Sequence, residues 1–390
     1  MERRIYLDNS ATTRICDEAL EKYIEVSREC YGNPSSLHAL GFLAERELSA
    51  ARDQVRLSLG ARDAEVVFTA SGSEANNLAI IGRALSKERY RRGARVLITD
   101  GEHASVDEPA KRLGSLGIEV VKIPTKDGKL DTGALKRELT KNVILVSIMM
   151  VNNETGALYD TAEVAKMMRS ASPEAYLHVD ATQSYLKLPF TKASVGADMI
   201  TLSSHKIEGP KGVGALVIDR RVIKERGLSP LILGGGQETG LRSGTENVPG
   251  IAAFGTAIKI ARAALRERYA KTSELRAYLV EKLDTLPHLA EISVTDPQSH
   301  APHILNITLP KIKSETMLHY LSSFGIYVSS GSACSSNTGH VSSALVAYGR
   351  SEAEADSSIR ISLSHRNTRE DIDALLEALG EGLSKLSRIK

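Results

Sequence analysis

From about residue 64 to residue 220, short β-branched runs alternate with segments of helical spacing, and this constrains the fold more than any other feature. The runs cover residues 65–69, 95–99, 118–121, 143–150, 176–179, 199–202 and 214–218, with helical patterns such as 105–116 and 161–169 between most of them. This alternation predicts an α/β fold: a mostly parallel sheet of the seven-stranded type, covered by helices on both faces. Loops that carry chemistry then gather at the carboxyl ends of the strands. Between residues 248 and 286 the pattern turns helical, rich in Ala, Leu, Glu, Lys and Arg. Strands are expected near 291–294, 304–307 and 358–363, with a closing helix over 370–386. A chain of 390 residues is too long for one compact core. We therefore expect a large α/β domain over residues 15–255 and a smaller α+β domain built from residues 1–14 plus 256–390. The first residues return to the smaller domain or lie over the site.

Lys206 follows the sixth run, in Ser203-Ser204-His205-Lys206-Ile207-Glu208-Gly209-Pro210-Lys211-Gly212. A lone lysine is usually a solvated surface charge. A lysine between Ser-Ser-His and Gly-Pro-Lys-Gly at a strand end is a much rarer arrangement. Asp180 closes the fifth run, with Gln183 one helical turn beyond. An amine able to form a Schiff base and an acid spaced to hold a pyridinium nitrogen together outline a pyridoxal phosphate site. The plain alternative for Asp180 is an N-cap for the following turn, residues 181–183.

Other strand ends supply the rest. Thr69-Ala70-Ser71-Gly72-Ser73-Glu74 is a strand, a small-residue turn and a helix start, where backbone N–H groups and the Ser73 hydroxyl suit a phosphate. The plain alternative is a capping box. His103 follows a run and precedes a helix, placed to stack on a planar ring or to cap the helix. Asn152 and Asn153 end the most apolar run, as turn formers or as donors to a ring oxygen. The glycine-rich stretch 234–247 lacks the Gly-Lys-Ser/Thr of a nucleotide-binding loop. Cys334 lies in Ser329-Ser330-Gly331-Ser332-Ala333-Cys334-Ser335-Ser336, whose small polar neighbours give little apolar burial. Cys16 and Cys30 sit beside amphipathic residues and read as small buried hydrophobes.

In order along the chain, these segments resemble the cysteine desulfurases of iron–sulfur-cluster assembly and nitrogen fixation, within the class V aminotransferases of fold type I. The resemblance runs nearly end to end. It also takes in Tyr6-Leu7-Asp8-Asn9-Ser10-Ala11-Thr12-Thr13, Gly32-Asn33-Pro34-Ser35-Ser36-Leu37-His38, Arg242-Ser243-Gly244-Thr245 and Ser357-Ser358-Ile359-Arg360. It implies that Lys206 carries the cofactor, that His103 stacks on the ring and that Asp180 meets the ring nitrogen. Asn153 and Gln183 would face the ring hydroxyl. Gly72, Ser73, Ser203 and His205 would hold the phosphate, with Thr245 supplied by a second subunit of a homodimer. Arg360 would clamp the substrate carboxylate, assisted by Asn33. Cys334 would take sulfur from L-cysteine as a persulfide and pass it to an acceptor such as an iron–sulfur scaffold or a thiolation relay. Selenocysteine lyase, another class V lyase or aminotransferase, and a non-catalytic sulfur-transfer scaffold are the rival readings. Three positions depart from the family pattern: Arg14 for a usual proline, the polar turn 69–73, and Glu208 for a frequent aromatic or small residue.

The remaining numbers exclude more than they assign. A net charge of +2 gives no reason to expect nucleic acid or an acidic membrane as partner. No apolar stretch reaches the ~18 residues that span a bilayer, and residues 1–8 show no signal-peptide pattern. Three cysteines in so long a chain make neither a disulfide framework nor a structural zinc site. No resident metal is expected, although the resemblance allows Cys334 a transient contact with iron. A reducing, cytoplasmic setting is the expectation.

Overall fold

The computed structural model describes residues 4–86, 93–310, 312–331 and 341–386. Seven strands form the central sheet: β2 (Glu65–Thr69), β3 (Arg95–Thr99), β4 (Glu119–Ile123), β5 (Val143–Met149), β6 (Tyr176–Asp180), β7 (Met199–Ser203) and β8 (Gly214–Ile218). Their order is β2-β8-β7-β6-β5-β3-β4. Only β8 runs against its neighbours, so β2 points the same way as the other five. Six carboxyl ends therefore share one edge of the sheet. Strands β2, β3 and β8 span the expected residues, whereas β4 starts one residue later and extends to Ile123.

The residue pattern explains the layering. Strands β5 to β8 are buried along their whole length, as expected for strands covered by helices on both faces. Edge strand β4 keeps Glu119 and Lys122 exposed, charges that discourage pairing with another chain. Side chains alternate between two cores: Val66, Phe68 and Leu97 join one, and Val67, Val96 and Ile98 join the other. Helix Val248–Ala263 lies in the first core through Ile251, Phe254 and Ile258.

A second sheet has the order β12-β10-β9, all antiparallel, from β9 (Ser293–Thr295), β10 (Ile304–Thr308) and β12 (Ser358–Ser362). Strand β9 lies two residues beyond its expected start. Leu305, Ile307, Ile359 and Ile361 pack with Ile372, Leu375 and Leu379 of helix Arg369–Leu386 in a separate core. Two short strands escaped the sequence reading, β1 (Ile5–Tyr6) and β11 (Ile326–Tyr327), which pair in parallel. At two residues each they are too short for any periodicity to mark. They carry the N-terminal segment onto this second core, and Asp8 bridges Ser362. Residues 10 and 11 continue over the carboxyl edge of the large sheet, where they line a cavity. No single described helix is long and apolar enough to cross a membrane.

Candidate active site

At the carboxyl edge a cavity of about 220 Å³ opens, far more than the roughly 10–15 Å³ that one water needs. The parallel strands nearby each line it with residues at or just beyond their carboxyl ends. After β2 come Gly72 and Ser73, after β3 His103, and after β5 Asn153. Asp180 and Gln183 arrive with β6, and Ser203, His205 and Lys206 with β7. Arg360 enters from β12 of the second sheet.

The Lys206 Nζ donates to the backbone carbonyls of Ser10 (2.5 Å) and Ala11 (2.8 Å). The same N-terminal segment is stitched to the lysine turn. The Thr13 N–H and hydroxyl both donate to the His205 carbonyl, at 2.9 and 2.8 Å. His205 Nδ1 lies 3.1 Å from the Thr12 hydroxyl. Burial, then the charge of Lys206, pushes the His205 imidazole down to about 4, so it is neutral near pH 7.

Asp180 is 6% exposed, and both carboxylate oxygens are oriented. Oδ2 accepts from Asn76 Nδ2 at 2.8 Å, and Oδ1 accepts from the Thr182 N–H at 2.9 Å. The acid thus both shapes its own turn and faces the cavity. Asn76, which also donates to the Ser105 hydroxyl, had no assignment from sequence. Its only signal is an amide one helical turn after Gly72. Behind the acid, fully buried His178 meets the Ser147 and Thr201 hydroxyls, and burial lowers it to about 4.

His103 serves as cap and as cavity wall together. Its Nδ1 accepts from the Ser105 N–H at 3.1 Å, at the start of helix Ala104–Ser115, and lies 2.8 Å from the Ser105 hydroxyl. Burial holds its pKa below the ordinary imidazole value. With Nδ1 accepting, the neutral ring carries its hydrogen on Nε2.

Next to it, buried Glu102 accepts from Thr99 Oγ1 (2.7 Å) and from the Met149 N–H (2.9 Å), while burial raises its pKa from 4.5 to about 8. An acid raised on folding adds stability below pH 4.5, and that stability is lost as pH climbs to about 8. At roughly 1.4 kcal/mol per unit this is a few kcal/mol. Thermal unfolding of cofactor-free Glu102→Gln should show a flatter pH dependence between 5 and 8 than wild type. Equal slopes would exclude Glu102 as the source.

The chain matches the family described as aminotransferase class-V over residues 5–375. It belongs to that family. Cysteine desulfurase IscS 1 of Archaeoglobus fulgidus is 37% identical over 383 residues, covering 98% of this chain and 97% of the relative. Among solved structures, a NifS-like protein superposes with a TM-score of 0.89 at 36% identity, covering 98% and 100% of the two chains. The protein solved as SspA in complex with cysteine gives 0.79 at 29%, covering 94% and 100%. The chain is thus a class-V enzyme of the cysteine desulfurase group, a family that works with pyridoxal phosphate.

Within this class-V site Arg360 is 2% exposed and already engaged. It donates to the Asn153 carbonyl at 2.9 Å and to Asp8 Oδ1 at 3.0 Å, while its Nε finds no hydrogen-bond partner among the described residues. The guanidinium is therefore already shared with Asp8, a partner that sequence reading missed. Asp8 lies in the N-terminal run 6–13, but nothing there signals a contact 352 residues away. Asn33 is exposed, its side chain accepting from the Ser35 N–H at 2.9 Å, and it does not line the cavity. Thr245 is likewise exposed and absent from the lining.

Cys334 lies outside the described residues, but the chain on either side of its segment is anchored at the rim. Ser329 and Arg360 exchange both backbone hydrogen bonds, at 3.2 and 2.7 Å. Ser342 donates to Glu154 Oε2 at 2.5 Å. Glu208, whose position in sequence puts a negative charge near the site, does not line this cavity. Its carboxylate faces Arg268 and Arg366 instead.

Proposed function

We propose that this chain converts L-cysteine to L-alanine with pyridoxal phosphate, and that Cys334 takes the sulfur as a persulfide. The observation that carries the reading is that Lys206, Asp180, His103 and Arg360 share one cavity. The residues suit the cofactor at each end. Helix Gly72–Ala84 starts at the cavity beside Ser73, Ser203 and His205, a donor set for a phosphate. A Cβ on Gly72 would come within 3.2 Å of Ser203 Cβ and 3.3 Å of Thr182 Oγ1, so only glycine leaves this cradle relaxed. Asp180, buried and oriented, suits a protonated pyridine nitrogen, and Asn153 and Gln183 suit the ring hydroxyl side.

When bound, the cofactor supplies an aldehyde for Lys206 and an electron-withdrawing ring next to the substrate α-carbon. Lys206 Nζ, placed by two carbonyls, moves the Cα proton. Arg360 orients the substrate carboxylate, and the Cys334 thiolate attacks the substrate sulfur. The carbon–sulfur bond breaks, a sulfur–sulfur bond forms on Cys334, and the freed carbon takes a proton to give alanine. No outside oxidant is needed. Neutral His103, with hydrogen on Nε2, offers sulfur an N–H donor that stabilises a thiolate.

Among the described residues, seven of the 18 large apolar side chains that are exposed, including Tyr31, Leu37 and Phe42, fall within residues 20–43. That concentration suits burial against a second copy, which would bring Thr245 to the neighbouring site. Persulfide chemistry suits a reducing cytoplasm, and an iron–sulfur scaffold or a thiolation relay would be the sulfur acceptor.

Loaded enzyme given L-cysteine and a thiol reductant should release alanine and sulfide in equal amounts. Pyruvate in place of alanine, or turnover only with a keto acid, would overturn the reading. Selenocysteine as competing substrate separates the lyase alternative. Arg360→Lys should raise KM for cysteine about 10–100-fold with a smaller change in kcat, since a point charge loses roughly 1.5–3 kcal/mol of charged hydrogen bonding. An unchanged KM in steady-state assays would remove Arg360 from carboxylate binding.

A further inference from the structure

Glu208 stands two residues beyond Lys206 with φ +64°, a left-handed conformation that glycine adopts freely and a glutamate does not. Strain of this kind persists only where surrounding contacts hold it. Here they do so on three sides. The Glu208 N–H donates to the Thr13 hydroxyl at 2.8 Å, and its carbonyl accepts from the Cys16 N–H at 2.9 Å. Its carboxylate, in a residue 7% exposed, accepts from Arg366 Nε at 2.6 Å and lies 3.0 Å from an Arg268 amino group. His365 Nε2 is 3.8 Å away.

These partners come from different parts of the fold. Thr13 and Cys16 continue the segment whose Ser10 and Ala11 carbonyls hold Lys206 Nζ. Arg268 lies on helix Leu265–Thr285, and Arg366 follows β12, the strand that carries Arg360. One side chain thus ties the lysine turn to the same chain segment that delivers the substrate-side arginine. Glu208 and Lys206 also wall a common second cavity of about 60 Å³, together with Arg268 and His365.

We propose that Glu208 is a positioning residue for Lys206, a strut that fixes the ε-amino group relative to Arg360 through Arg268 and Arg366. The inference rests on Lys206 being the cofactor-bearing lysine. A buried carboxylate between two guanidinium groups resists movement because each alternative position leaves charge unpaired. The strain at its backbone is the counterpart of that rigidity. Misplacement of a reacting group by about 1 Å can cost on the order of 10²-fold in rate.

The test compares loaded wild type with Glu208→Gln, which keeps the shape, and Glu208→Gly, which relieves the backbone and guards against misfolding. Three readouts go beyond overall stability: the KM-against-kcat split, the pH midpoint of the visible chromophore, and the yield of borohydride-trapped Lys206 adduct at limiting cofactor. Both variants should show kcat lowered about 10–100-fold with KM for cysteine changed less than about threefold. The chromophore midpoint should fall, because a negative charge is removed and Arg268, which shares a cavity wall with Lys206, loses its counter-charge. Adduct yield should drop as well. Glu208→Gln combined with Arg366→Met should lose no more than the worse single change, as expected for two residues acting as one unit. Wild-type kcat, midpoint and adduct yield in folded Glu208→Gly would overturn the strut. Unimpaired colour and turnover in Lys206→Ala would instead overturn the underlying site reading.

Discussion

Lys206→Ala should yield a folded protein that stays colourless with pyridoxal phosphate and releases no alanine from cysteine. On the proposed reading two functions disappear together: the amine that would hold the cofactor, and the base that would move the Cα proton. The second alone is worth roughly 10²–10⁴-fold. The fold should tolerate the change, because Nζ donates to two backbone carbonyls in a segment anchored independently through Thr13 and His205. Absorbance after reconstitution and an alanine assay decide it. Visible colour resistant to borohydride trapping would show that another group holds the cofactor.

Cys334→Ser should give the opposite spectrum with the same silence. Among the described residues, the cavity proposed for the cofactor is lined by residues such as Gly72, His103, Asp180, Lys206 and Arg360, none of them altered by this change, so the variant should colour normally and change its spectrum when cysteine is added. Sulfide release should fall on the order of 10³-fold or more, since a serine hydroxyl is not ionised near neutral pH and cannot take sulfur as a thiolate does. Persulfide labelling with mass spectrometry should find the extra sulfur at position 334 in wild type alone. Full sulfide release by the variant would place the acceptor elsewhere. Together the two substitutions separate cofactor capture from sulfur capture.

How far the sequence could be read depends on how local each signal is. The strand ends of the large sheet were legible because β-branched runs and the polar residues after them are neighbours in sequence. Lys206 after β7, Asp180 on β6 and His103 after β3 therefore pointed to one edge once the sheet was taken as parallel. Gly72 and His103 each had two readings, as cap and as site, and the geometry joins them: a helix start that needs capping is also where N–H groups face a ligand. The illegible parts are long-range. Asp8 on Arg360, Asn76 on Asp180, and the Ser10 and Ala11 carbonyls on Lys206 are contacts between residues whose local patterns say nothing of one another. Glu208 was visible as an unusual residue, but its charge could be placed only once Arg268 and Arg366 were seen against it.

The pairing of Asp8 with Arg360 and Ser362 brings together parts of the chain more than 350 residues apart. During synthesis, that corner cannot close until the ribosome has passed Arg360, 352 residues after Asp8. A nascent chain paused earlier holds the turn at residues 71–73 and Lys206 but not the Arg360 guanidinium. Among the described residues, all of the cavity lining except Arg360 comes from residues 10–206, so the wall that Arg360 supplies is the last to be made.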